Sequence, residues 1–293
     1  MPFSSMDDLV NEITSGKFNR SDWNKITGGS AYAAGRWYDF SGLNGTPVAN
    51  AWAGTALAWR SCDELTGNGT QIFGLPTGGN VSPDTAHVLN VSAITSVATG
   101  VPAQLMLVDL QGYWPGITNN SATAQTLTGT PTLRYTNGAG CRLFWVQTTA
   151  AGATAHNISL SYSNTTPTSG RSLPVTVAMT ASAIVGHISH SGTAANNYGP
   201  FLPLASGDTG VSNVASVTFS ASSGAGAGAL CLARPLLTLP ITTASVAAER
   251  DLLNQLPSLP RVVDGACLTW LYFAGAATAA STNFYGAVEF GWG

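Results

Sequence analysis

The sequence predicts an all-β protein: two tandem, duplicated β-sandwich domains of jelly-roll-like build, behind a short N-terminal helical arm. Three observations predict it. Stretches such as HNISLSY, SVTFSAS and QLMLVDL alternate with the period of two that half-buried strands require. Turn-forming breaks such as TNGAG, TPTSG and LASGDTG recur roughly every 8–12 residues, the spacing of short antiparallel strands. The third observation is a repeat, in which the same features return in the same order about 125 residues later.

The repeat is seeded by two cysteines. Cys141 in GAGCRLFWV and Cys267 in DGACLTWLY each sit in a short apolar run, with Phe144 and Trp270 three residues on. At the same offset Asn157 falls on Asn283. Upstream, QLMLVDLQGYWPG matches ALCLARPLLTLPI, so that Leu105, Leu107 and Pro115 fall on Leu230, Leu232 and Pro240. VLNVSAITSVATG matches VSNVASVTFSASS, and Leu75-Pro76 and Asp84-Thr85 match Leu202-Pro203 and Asp208-Thr209. GTPVA falls near SLPVT. The matches are collinear and drift only as loop insertions would make them drift. They divide the chain into an arm over 1–34 and β-sandwich copies over 35–165 and 166–293. A unit of about 125 residues has room for eight strands.

Two segments read as helical. In SSMDDLVNEITSG, Ser5 is placed as N-cap and Asp8 at N3, Leu9, Val10 and Ile13 share a face, and Gly16 follows the end. The second is TASVAAERDLLNQLP over 243–257, ended by Pro257; its counterpart over 120–131 has weaker helical character.

Composition restricts function. Apolar residues make up 44%, enough for ordinary cores, but charged residues make up only 9% against roughly 25% in typical soluble proteins. Sparse charge invites association, so much of the surface is expected to face other subunits. A net charge of −3 removes the electrostatic footprint of a nucleic-acid binder. What charge there is gathers early: Lys17 and Lys25, the only lysines, stand among Asp7, Asp8, Glu12, Arg20 and Asp22. The four cysteines, Cys62, Cys141, Cys231 and Cys267, have no metal-ligand spacing and read as buried free thiols suited to a reducing cytoplasm. The start lacks the basic and apolar regions of a signal peptide, and no apolar run approaches the ~18 residues of a membrane-spanning helix.

Candidate chemical sites are read against plainer roles. Asp208-Thr209-Gly210 spells the aspartic-protease triplet, with Asp84-Thr85 in the other copy. Two such aspartates could share a proton. Yet Ser206-Gly207 stands where apolar strand residues belong, and Ala86 replaces the glycine, so the motif reads as a turn. His187 and His190 are three apart, on opposite faces of a strand, and make poor co-ligands. GAGAGA over 224–229 reads as a hairpin turn rather than a phosphate cradle. Trp37, Tyr38, Trp52, Trp59, Tyr113 and Trp114 could form a sugar platform or fill a core. No catalytic, metal or cofactor-binding residue is assigned, and the chain is read as a non-enzyme.

Three stretches, RSDWNKITGGSAYAAGRWYDF, HSGTAANNYGPFLPLASGDTG and TTASVAAERDLLNQLPSLPRVVDGACLTWLYF, resemble virion structural proteins encoded by tailed bacteriophages. The resemblance runs over nearly the whole chain and implies a particle component; it supplies no active residues. Physical features narrow the position. No basic patch suits contact with packaged DNA, no long spine helix suits the major shell, and no shaft repeats suit a fibre. The expectation is therefore a cement or decoration protein on the outer capsid surface, made in the host cytoplasm before assembly. Its partners would be the phage major capsid protein and itself, as a trimer, with neither nucleic acid nor membrane. The alternatives are a receptor- or glycan-binding protein of the head fibre or tail, and another position in tail, baseplate or shell. Phe3, Leu9, Val10, Ile13, Phe18, Trp23 and Ile26 are expected to anchor the arm, on a neighbouring subunit or on its own β-domain. On the first reading the arm could be removed with the β-domains still folded.

Overall fold

The computed structural model describes residues 3–191, 199–255 and 259–293. After helix α1 (Met6–Thr14) the first half of the chain forms β1 (Phe18–Ile26), β2 (Arg36–Asp39), β3 (Asn44–Thr46), β4 (Arg60–Ser61), β5 (Ala86–Thr95), β6 (Ala103–Thr118), β7 (Gln125–Thr126), β8 (Arg142–Thr149) and β9 (His156–Asn164). The second half forms β10 (Arg171–Ser172), β11 (Val177–Met179), β12 (Val211–Phe219), β13 (Ala227–Ile241), β14 (Ala248–Asp251), the short α2 (Leu252–Gln255), β15 (Arg261–Val262), β16 (Leu268–Ala274) and β17 (Asn283–Trp292). The protein is all-β, as expected, and its strands make three antiparallel sheets.

The central sheet runs β2-β16-β6-β13-β8, with β4 added at one end of β6. One outer sheet runs β14-β5-β17-β1-β3, with β15 also on β5. The other runs β10-β9-β12-β7, with β11 also on β9. Alternation on the central strands assigns their two faces. Leu105 and Leu107 of β6, with Leu237 and Leu239 of β13, pack into a core under the first outer sheet. Trp114 and Ile117, with Leu230 and Leu232, pack into a second core under the other outer sheet. Val108, Leu110, Tyr113, Ala229, Cys231 and Ala233 face the opposite way, into a third core covered by loops that carry Cys62, Phe73 and Ile188.

The repeat is visible in this topology. β5, β6, β8 and β9 correspond in order to β12, β13, β16 and β17. The register confirms the match. Leu105 and Trp114 lie 125 residues before Leu230 and Leu239, and the observed pairs are Leu230 with Trp114 and Leu239 with Leu105. Each pair maps onto the other when the copies are exchanged. Ile158 pairs with Phe219 while Phe284 pairs with Thr95, which relates the two outer sheets in the same way. Cys141 and Cys267 precede the equivalent strands β8 and β16, which flank the central pair on opposite sides.

The two copies do not form separate sandwiches, and the expected boundary at 165/166 separates no sheets. β5 pairs with β17, β9 with β12, β6 with β13 and β16, and β8 with β13. Every one of these contacts joins one copy to the other. The repeat identifies similar strands, but the partner of each lies in the opposite copy, so two tandem jelly rolls give way to one interleaved body. An accessible surface of 11482 Å² agrees with the about 11,700 Å² expected of a single compact 30.0 kDa monomer.

The expected arm over 1–34 is also corrected. Helix α1 forms as anticipated, with Ser5 Oγ accepting from Asp8 N at 3.1 Å and Gly16 at a positive φ of 97° beyond its end. The chain then enters β1, which lies between β17 and β3. Trp23 and Lys25 of this strand point inward while Phe18, Arg20 and Asp22 point out. Segment 18–26 is therefore sheet, and removing it would take Trp23 from the first core.

The helix expected over 243–257 is confined to α2. Residues 248–251 instead extend as β14 along β5, whose outer edge supplies the backbone partners that a helix would supply internally. Pro257 lies outside the described residues. The weak helical counterpart over 120–131 contains the two-residue strand β7.

One buried ion pair holds the centre of the molecule. Asp109 of β6 is fully buried and meets Arg134 through two contacts, Nε–Oδ2 at 3.2 Å and a second from Nη2 to Oδ1. Asp109 Oδ1 also accepts from Cys267 N at 3.1 Å. Arg134 donates further to the carbonyls of Cys62 and Leu110, which ties the loop to the middle strand β6 of the central sheet. Replacing Arg134 with alanine strands a carboxylate without its counterion. The expected cost is about 3–5 kcal/mol. It should appear in urea unfolding, and an Asp109→Asn/Arg134→Ala double variant should recover part of the loss.

Candidate functional site

A cleft of about 690 Å³ opens between the central sheet and the end of β1. Its walls come from five separated stretches: residues 26–32 from the end of β1, the loop from Asp39 to Trp52, Thr148 and Ala150 at the end of β8, residues 184–186, and Ser281. Pairing of Tyr38 with His187, and Asp39 N donating to Gly186 O at 2.8 Å, hold the second and fourth stretches together.

The floor carries most of the polar chemistry. Asp39 is buried, and its carboxylate accepts from Ser41 N at 2.9 Å and Gly42 N at 2.8 Å. Burial pushes this carboxyl above the usual range, against those hydrogen bonds and nearby Lys25. Lys25 is itself buried, donating to the carbonyls of Leu43 and Pro47, and desolvation lowers it to about 8. Beside the floor stands Trp52, half-buried, with φ at 52°. A bulky side chain in the left-handed region is strained. A buried network holds it there. Asn50 Oδ1 accepts from Trp52 N at 3.0 Å and from Asn68 Nδ2 at 3.2 Å. Asn68 Nδ2 also donates to Tyr113 Oη at 3.0 Å, and Tyr113 Oη donates to Ala53 O at 2.9 Å.

The residues singled out in the sequence are placed as follows. Of the proposed arm anchors, Leu9 and Trp23 are buried in this chain, Phe3 and Ile13 are half-buried, and Val10, Phe18 and Ile26 are exposed. The six aromatic residues form no platform: Trp37, Tyr38, Tyr113 and Trp114 are buried, and Trp52 alone among them lines the cleft.

Asp84 and Asp208 do not meet as a dyad. Asp84 bonds Lys17 at 2.9 Å, beside the first outer sheet. Asp208 bonds Arg171 Nε at 3.0 Å beside the other sheet, and accepts from Tyr162 Oη and Asn164 Nδ2. The Arg171 guanidinium, with those two donors, holds the Asp208 carboxyl down at about 2. This is a turn tied to its sheet. Residues 224–226 of GAGAGA form a turn, though not a hairpin, because they join β12 of an outer sheet to β13 of the central one, which begins at Ala227.

His187 and His190 are buried apart from any acidic partner, and desolvation lowers each to about 3. Among the described residues, no three histidine, cysteine, aspartate or glutamate side chains gather as a metal site. Among them also, no helix is long and apolar enough to cross a membrane.

All four cysteines are free and buried. Burial pushes the Cys141 thiol up to about 12, and raises Cys62 and Cys231 well above their ordinary value. Because the thiolate is the reactive form, native protein near pH 8 should react slowly with a disulfide reagent. Full reaction of four thiols is expected only on unfolding. Rapid labelling of any of them in the native state would show that its cover opens.

No family model matches the chain, and no curated protein matches it. Solved structures with some likeness to it come from infectious bursal disease virus. The VP2 subviral particle of infectious bursal disease virus is 10% identical, covers 94% of this chain and 80% of its own, and has a TM-score of 0.22. A structure of the Gt strain of that virus gives the same identity and coverage with a TM-score of 0.20. Likeness at this level carries no argument about this chain.

Proposed function

We propose that the chain is a structural component of a bacteriophage particle, a cement or decoration protein on the outer capsid. It would bind the major capsid protein and further copies of itself, as a trimer, and perform no catalysis. It would be made in the host cytoplasm and end on the virion surface. The resemblance of three stretches to tailed-phage virion proteins supports this reading.

The observation that carries it is where the charge has gone. Lys25, Asp39, Glu64 and Asp109 are buried, and Arg134 and Asp208 are spent on internal pairs. Lys17 joins Glu12 and Asp84, and Arg20 joins Asp22 and Glu289. The skin that remains is mostly serine, threonine, asparagine, glycine and alanine, with exposed Val10, Phe18 and Ile26 near the start of the chain. Such a surface resists association weakly and suits many modest contacts that add through avidity.

Quantitative mass spectrometry of purified particles tests the reading. Hundreds of copies per particle are expected. A handful would move the protein to a tail or fibre, and absence from the particle would overturn the proposal.

A further inference from the structure

The cleft has features that a packing surface does not need. The indole Nε1 of Trp52 has no hydrogen-bond partner in the protein among the described residues, although its ring meets Tyr113 edge-on at 4.9 Å. Next to it lies the Asp39 carboxylate. Both flank the bare Cα of Gly42: a Cβ there would lie 3.0 Å from Asp39 Oδ2 and 3.2 Å from Trp52 Nε1. Gly42 does not occupy the left-handed region, so its lack of a side chain serves space rather than backbone conformation. A free donor and a carboxylate acceptor thus both flank Gly42 at the wall of the cleft. A hydroxyl, which donates and accepts at once, fits that pair.

The rest of the lining suits the same chemistry. Thr27, Ser30, Asn44 and Ser281 add neutral polar groups, and Trp52 adds a partly exposed aromatic surface. The buried Asn50, Asn68 and Tyr113 network fixes Trp52 before any ligand arrives, which reduces the ordering cost of binding. The volume lies within the roughly 300–1,000 Å³ usual for small-molecule sites.

We propose that this cleft binds a neutral saccharide, with one sugar hydroxyl bridging Asp39 and Trp52 Nε1 and the sugar ring lying against the Trp52 indole. The carboxylate disfavours acidic sugars, because Asp39 is the only charged side chain among the described residues of the lining. The inference goes beyond the structural role and stands independently of it, since it concerns the isolated chain.

The test is saturation-transfer NMR on the full-length protein with glucose, galactose, mannose, N-acetylglucosamine and N-acetylgalactosamine, together with a printed array holding neutral and sialylated glycans. Binding of at least one neutral saccharide is expected. Trp52→Ala should weaken it about tenfold or more, and Asn44→Ala should weaken it less. Unchanged thermal unfolding would show that each variant is folded, and Asn44→Ala provides the reading if Trp52→Ala is not. No neutral saccharide bound, stronger binding of sialylated glycans, or affinity unchanged in the folded variants would overturn the proposal. The particle count is unaffected by any of these results, so the two readings fail separately.

Discussion

Neither half of this chain should fold alone. Cut at the exposed loop between Ser169 and Gly170, it yields fragments 1–169 and 170–293. The first keeps only two short internal strand pairings, β1 with β3 and β4 with β6. The second keeps none among the described strands, because each of its strands pairs only across the cut. Its apolar faces, such as Leu230 and Leu232, are covered by residues of the other fragment, including Trp145 and Tyr162. Fragments expressed separately should be unfolded or aggregated. Co-expressed, they should associate and restore a cooperative thermal transition, with a tag on one retaining the other. A dispersed amide spectrum from either fragment alone would refute the expectation.

Acid should weaken the fold steeply, and two histidines are the main reason. His187 and His190 sit near 3 in the fold, against about 6.5 in an unfolded chain. A depressed folded value gives stability that is full above about pH 6.5 and lost as pH falls toward 3. Each histidine costs about 1.4 kcal/mol per pH unit in that window, so the pair removes about 5 kcal/mol by about pH 4.5.

The geometry supports this direction. His190 Nε2 accepts from Trp145 N at 3.2 Å, so a proton there would face a donor. His187 lies near Arg36 and His190, and its ring stands 5.0 Å from Tyr38. Asp39 acts in the opposite sense, since burial raises its carboxyl and protonation then favours the fold. The histidine contribution is therefore best read by difference. His187→Phe should clearly lower the slope of urea-unfolding stability against pH between about pH 6 and 4.5, leaving the terms of His190 and of His87, which burial also lowers. An unchanged slope would assign the acid sensitivity to other groups.

The repeat was legible in the sequence because buried positions hold their spacing along a strand. Cys141 and Cys267 occupy buried positions just before matching strands, Leu105 and Leu230 core positions within matching strands, and insertions fell in the loops between. The interleaving was not legible. Similar strands from two copies can pair within a copy or across copies with the same alternation, and nothing local distinguishes these. The first outer sheet shows a different obstacle. In FNRSDWNKI the alternation was present, but an inward lysine concealed it; Lys25 is accepted there only because the Leu43 and Pro47 carbonyls receive it. The cleft was hidden for a simpler reason, since its walls lie more than a hundred residues apart. Trp52 was noticed as an aromatic, but neither its unpaired indole nor its approach to Asp39 has any signature along the chain.

The pairing of β1 with β17 sets a schedule for the newly made chain. Strand β1 leaves the ribosome early, yet its long partner begins at Asn283. At about 5–20 residues per second, translation takes roughly 13–50 s to cover that distance. β5 likewise waits for β17, so the first outer sheet does not close before synthesis is nearly complete. A long-waiting strand risks pairing with a neighbouring nascent chain, and charge is the usual protection for such an edge. Arg20, Asp22 and Lys25 all lie on β1, with Lys17 just before it. The charge concentrated at the start of this sparsely charged chain thus falls on a strand whose β17 edge stays unpaired through most of translation, although its last residues can meet β3 early.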